Sequence, residues 1–172
     1  DWSGRAEEAV LACLKAVDLD SQSATAHAFL AEAYADTGRP DRALEVAEKA
    51  VELDPQNLWA RRNLGYVYEK LGNYERAVEE YQIALAAHPK FGHLYLALGR
   101  VYLALGRHED GLAQFEKATI IDPTDPQGHD QMGWTYFVLQ DYERADVLLR
   151  KALEVDPDYA PALGHLGVVC YV

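Results

Sequence analysis

Residues 58–91 read LWARRNLGYVYEKLGNYERAVEEYQIALAAHPKF, two short amphipathic segments joined by a tight turn and closed by Pro89. Tyr68 stands four positions from Leu64 and three from Gly65, so the three lie along one stripe of a helix. Ala77, Tyr81 and Ala84 repeat that spacing for a second helix. Gly72 falls where the first helix must stop, a place that favours a residue free to adopt the left-handed conformation.

The same skeleton recurs at intervals of 34 residues in both directions. One column reads Leu30, Leu64, Leu98, Met132, Leu166; the next reads Ala31, Gly65, Gly99, Gly133, Gly167; a third reads Tyr34, Tyr68, Tyr102, Tyr136, Cys170. Ala43, Ala77, Gly111 and Ala145 keep a second small-residue column, and Pro55, Pro89, Pro123 and Pro157 close the units. Gly or Ala where two helices cross lets their axes approach, while Leu and Tyr fill the space beside the crossing. The frame predicts an all-α chain of about ten helices in a single domain, 1–172. A lone second helix occupies 1–23, full repeats occupy 24–57, 58–91, 92–125 and 126–159, and a lone first helix occupies 160–172. Gln140 replaces the turn glycine of one unit and is expected to strain or reshape it. Asn73 and Asp141 are expected to cap second helices, Asn57 and Asp125 first ones, with Pro126 at a first helical position.

Bulk properties narrow the function classes. Of the 172 residues 49% are hydrophobic and 26% charged, which describes a folded chain. A net charge of −12 argues against a nucleic-acid partner, because phosphate binding requires a basic face. No apolar run reaches the ~18–20 residues that a membrane span requires, so no membrane insertion is expected. No signal-like segment is present, and a cytoplasmic chain is expected, with a longer parent protein left open. Cys13 and Cys170, at opposite ends, suggest no disulfide framework. The six histidines are scattered over different helices and turns without ligand spacing, so no metal or other cofactor is expected. No phosphate loop or nucleophile signature is present, and the expectation is a non-catalytic chain.

These columns resemble the tetratricopeptide repeat family, over nearly the whole chain and without an insertion. Departures are local: Gly111 for Ala, Ala47 and Cys13 for an aromatic, Ser21 for the closing proline. The resemblance implies a right-handed superhelical solenoid whose first helices line a concave groove, in which family members commonly hold an extended peptide or a partner's helix. Pentatricopeptide RNA binders are a related alternative, but they have a 35-residue unit and usually basic surfaces. Of the Lys and Asn positions with which some members clamp a chaperone's C-terminal carboxylate, only Asn63 fits. Asn63 alone also makes no asparagine ladder of the kind in the O-linked N-acetylglucosamine transferase solenoid.

Aligned by the period, the groove rows are Glu32, Tyr66, Arg100, Trp134 and Val168; Ala28, Arg62, Leu96, Asp130 and Gly164; and Ala35, Glu69, Leu103, Phe137 and Tyr171. Trp59 and His93 stand at the entrance, and Lys70 completes the residues of 58–91 that the repeat does not require. Arg100 is expected to stack between Tyr66 and Trp134, worth ~0.5–2 kcal/mol, and with Arg62 to receive a carboxylate or carbonyl. The plainer reading is that these aromatics and Arg100 merely stack on one another. The expected function is a protein–protein interaction scaffold that binds a peptide or partner segment in the groove. Two alternatives stay open: a substrate-presenting accessory domain of a larger enzyme, and a module that self-associates head to tail through its terminal helices. The surface for that self-association would comprise Cys13, Leu163, Leu166, Val169, Cys170 and Tyr171.

Overall fold

A computed structural model describes the backbone of residues 2–171 and the side chains of residues 5–171. Among the described residues every regular element is an α-helix, ten in all: α1 (Trp2–Leu19), α2 (Ala24–Asp36), α3 (Pro40–Leu53), α4 (Leu58–Lys70), α5 (Tyr74–Ala87), α6 (Gly92–Ala104), α7 (His108–Ile121), α8 (Gln127–Val138), α9 (Tyr142–Val155) and α10 (Ala160–Val169). The chain divides into two compact units, Asp1–Pro89 with α1–α5 and Lys90–Val172 with α6–α10.

Within each unit the helices pair across turns of three residues. Gly38, Gly72 and Gly106 carry φ of +70°, +73° and +73° at the turn, and Gln140 adopts the same left-handed state at +62°. Its turn is strained without being reshaped. Gln140 N–H donates to Phe137 O and Asp141 N–H to Tyr136 O, both at 2.9 Å, matching Gly106 to Leu103 and Arg107 to Tyr102 in the preceding pair. The links between pairs use a second device. The carboxylates of Asp20, Asp54, Asp122 and Asp156 each accept from the backbone N–H two residues on, a local turn that needs a short side-chain acceptor.

Capping follows the sequence in part. Asn57 accepts from the N–H groups of Trp59 and Ala60, Ser23 from Ala26 and Asp141 from Arg144, each satisfying an orphan donor of a first turn. Asn73 precedes α5 but makes no such bond. α8 begins at Gln127, so Pro126 stands one residue before the first helical position, and Asp125 accepts from Gln127 N–H at 2.9 Å.

The core of each unit is built at the helix crossings. A Cβ placed on Gly65 lies 2.6 Å from the Tyr81 ring, and one on Gly133 lies 2.8 Å from Leu149. Both positions therefore need hydrogen where the partner helix passes. Gly111, where the repeat usually has Ala, makes room in the same way for Leu103, 2.8 Å from its Cβ place. Tyr81 and Phe115 are 1% and 0% exposed, and burying such a ring contributes about 2–3 kcal/mol.

Candidate functional site

In the first unit, α2 and α4 place the groove residues in a closed polar network. Arg62 donates to Glu32 and to Asn63 Oδ1, each at 2.7 Å, while Asn63 Nδ2 donates to Ala28 O at 2.8 Å and to Glu32 at 3.1 Å. Asn63 is 0% exposed and is a structural strut between α2 and α4. Tyr66 donates its hydroxyl to Asp36, with Arg62 5.7 Å and Lys70 5.0 Å from its ring centroid. Burial, followed by the Asp36 hydrogen bond and the charges of Asp36, Glu32 and Glu69, drives the Tyr66 phenol far above its ordinary value, so it stays protonated as a donor. Glu69 accepts from Tyr81 at 3.0 Å, and Trp59 packs at 5.4 Å on Phe29 and against Ala28, Ala50 and Ala60. Arg62, expected to hold a ligand carboxylate, is thus already engaged by Glu32.

The second unit is different in kind. Trp134 stacks on Phe137 with centroids 4.9 Å apart and on His165 at 4.4 Å, and Phe137 continues to Tyr142 at 5.6 Å. Beneath them Asp130 is 0% exposed. Its Oδ1 lies 2.7 Å from His165 Nδ1 and its Oδ2 has no partner. Burial pushes the Asp130 carboxyl up, against the lowering effects of His165 and Gln131. Asp130 orients the imidazole of α10 against the indole of α8, a carboxylate–imidazole arrangement that fixes a ring's tautomer and pose. Among the described residues no Ser, Thr or Cys side chain hydrogen-bonds to His165.

The remaining expected residues are distributed as follows. His93 and Arg100 are exposed on α6, with His93 edge-on to Phe91 at 5.7 Å. Leu96 is 2% exposed and Leu103 is half-buried; both belong to the cluster around Phe115 and Ala118, so Leu96 is core and not ligand surface. Trp134 has its ring partners, Phe137 and His165, inside its own unit, and neither belongs to the expected Tyr66–Arg100–Trp134 row. Of the self-association set, Leu163 and Tyr171 are 50% and 93% exposed and Cys170 is exposed, whereas Val169 and Leu166 pack on α9 and Cys13 is half-buried. His165 was not singled out by its sequence. The signal for it is an offset of 35, one repeat plus one residue, from Asp130, the same offset that joins Asn63 to Ala28.

Among the described residues no group of His, Cys, Asp or Glu is arranged to hold a metal ion, and no helix is long and apolar enough to cross a membrane. Three family profiles described as tetratricopeptide repeat match residues 22–90, 62–126 and 127–159. No curated protein sequence matches the chain. Among solved structures, MamA is similar at 27% identity with a TM-score of 0.74, covering 91% of this chain and 92% of its own. TTC0263 of Thermus thermophilus, described as a thermophilic TPR protein, shares the fold at a TM-score of 0.89 and 22% identity, over 98% of this chain and 92% of its own. YrrB, described as a TPR protein with an unusual peptide-binding site, is 26% identical with a TM-score of 0.67, over 93% of this chain and 82% of its own.

Proposed function

The chain belongs to the tetratricopeptide repeat family, and on that premise we propose that it is a scaffold that binds a peptide or partner segment along the inward rows of its first helices. The observation that carries the reading is the Trp134–Phe137–His165 stack over the buried Asp130. Trp134 and Phe137 are only half-buried although the Leu and Tyr columns already supply the core. Rigid aromatics held in place by a second layer are the residue type that most often dominates binding surfaces. The peptide-binding site named for YrrB supports a peptide as the ligand class. Tyr66, Arg62 and Lys70 form a second, already paired patch, where a ligand gains only by exchanging partners.

The test is a pull-down with wild type against Tyr66→Ala, Arg100→Ala and Trp134→Ala. Partners captured by wild type should be lost from at least the Trp134 variant while helical content and melting temperature stay near those of wild type. Capture that is unchanged by all three variants overturns the groove reading. A second reading, self-association, is favoured by the exposure of Leu163 and Val168 on α10 and of Tyr171 just after it. A solution mass that stays monomeric at high concentration refutes it.

A further inference from the structure

A second surface lies on another side of α8. At 100° per residue His129, Met132 and Tyr136 project from a different face than Asp130, Trp134 and Phe137. They form the floor of a cleft of about 870 Å³ whose walls are α7 and α9. Leu112 and Ala113 line the α7 wall, Val147 and Leu148 the α9 wall, and Val147 is 49% exposed. The rim carries four acids against two bases. Arg144 is held by Asp141 at 3.1 Å and lies over Tyr136 at 5.2 Å, which leaves Glu109, Glu116 and Glu143 outside any ion pair among the described residues.

The first unit shows what this cleft would be if the repeat alone dictated it. Two repeats earlier, 68 positions, the residues matching Ala113, Val147 and Leu148 are Glu45, Glu79 and Glu80, and the match for His129 is Arg61. There Arg61 spans α4 to α5, donating to Glu80 at 2.7 Å and to Pro55 O at 2.9 Å. The place is sealed by a largely buried ion pair, with side-chain exposures of 17% and 8%. In the second unit Leu148 and His129 replace the pair. The seal is gone, Leu112, Ala113, Val147 and Leu148 put apolar surface on both walls below a charged rim, and His129 Nδ1 is left buried without a partner.

We propose that this α7–α9 cleft is a docking surface for an amphipathic helix of a protein partner, with an apolar ridge flanked by Lys or Arg. The apolar walls accept the ridge, and the unpaired Glu109, Glu116 and Glu143 face its basic flanks. Residues 109–119 of α7 bound the cleft, so it is about 15 Å long and takes roughly three helical turns.

The probe is a fluorescein-labelled amphipathic helix with Leu at i, i+3, i+4 and i+7 and Lys on its flanks, followed by anisotropy. Ala113→Glu/Val147→Glu restores the first unit's charges and should weaken binding tenfold or more although it makes the protein more acidic. Glu109→Lys/Glu143→Lys should weaken it similarly. The control Asp41→Lys/Glu75→Lys alters the same repeat positions in the first unit by the same net charge and should change affinity less than twofold. Trp134→Ala should leave affinity unchanged, which separates this surface from the groove proposed above. Unchanged or tighter binding by the Glu variant, equal losses from both Lys pairs, loss with Trp134→Ala, or no binding by wild type each overturns the proposal.

Discussion

Gly65→Ala adds one methyl group at a helix crossing, and its effect can be worked from distances. The new Cβ would lie 2.6, 2.8 and 3.1 Å from three atoms of the Tyr81 ring. Carbon atoms pack at ~3.5–4.0 Å, so the ring must retreat by about 1 Å. It has little room to do so: Tyr81 is 1% exposed and its hydroxyl is bonded to Glu69 at 3.0 Å. Forcing such a shift costs about 1–3 kcal/mol, while Ala in place of Gly in a helix returns ~1 kcal/mol. Gly164→Ala, where nothing lies within 4 Å of the added methyl, keeps only the gain. The two variants should therefore differ by about 1–3 kcal/mol in stability, Gly65→Ala being the weaker, or several degrees in Tm for a chain of this size. Far-UV circular dichroism during urea and thermal unfolding reads the difference. Because a repeat contacts mainly its neighbours, the Gly65→Ala transition should also broaden. A Gly65→Ala protein as stable as Gly164→Ala would refute the crossing argument.

Three further outcomes follow from charges and thiols. Burial holds the Asp130 carboxyl above its ordinary 3.8, so its protonated form favours the fold; that share is full below 3.8 and is lost as pH rises through the raised value. Asp130→Asn, neutral throughout, should gain on wild type across that rise, and urea midpoints that run parallel for the two proteins would count against the assignment. Glu80→Leu alone strands the Arg61 guanidinium and should cost about 3 kcal/mol, whereas Arg61→His/Glu80→Leu, which copies His129 and Leu148, should recover most of it. Additive losses in that double-mutant cycle would contradict the coupling. With a chromogenic disulfide reagent Cys170, which is exposed, should react before Cys13, whose thiol is half-buried and pushed up by burial and then by Glu32. Equal rates would show that α1 does not shield Cys13.

The period carried the fold because its columns are packing requirements. Gly65 must clear Tyr81 and Gly133 must clear Leu149, so the small-residue columns report contacts directly. The turn glycines were equally legible, since a left-handed stop leaves a fixed residue at a fixed phase. The site was less so, because the groove rows are set by what each side chain finds nearby. Arg62 finds Glu32 and Asn63, Leu96 finds Phe115, and Trp134 finds His165 on the next first helix. Glu32 and His165 sit about one repeat away, at 30 and 31 positions and not at the period itself, while Asn63 and Phe115 sit 1 and 19 positions away, so aligning columns at 34 hides all four. The α7–α9 cleft was hidden for a related reason. It arises from Leu148 and His129 jointly, and neither substitution signals anything until the Arg61–Glu80 pair that they replace is seen.

The turn at Gln140 keeps the hydrogen-bond pattern of its glycine counterparts, at the same lengths as the Gly106 turn, so its cost is carried by the backbone alone. A left-handed conformation without glycine costs about 1 kcal/mol, which shifts a local opening equilibrium by roughly fivefold. In native-state hydrogen exchange the amides of Gln140 and Asp141 should therefore open more often than those of Gly106 and Arg107. The α8–α9 hairpin, which shapes both the aromatic stack and the apolar cleft, would then be the most readily breathing pair of the second unit. Whatever binds either face of it would be felt as protection at that single turn.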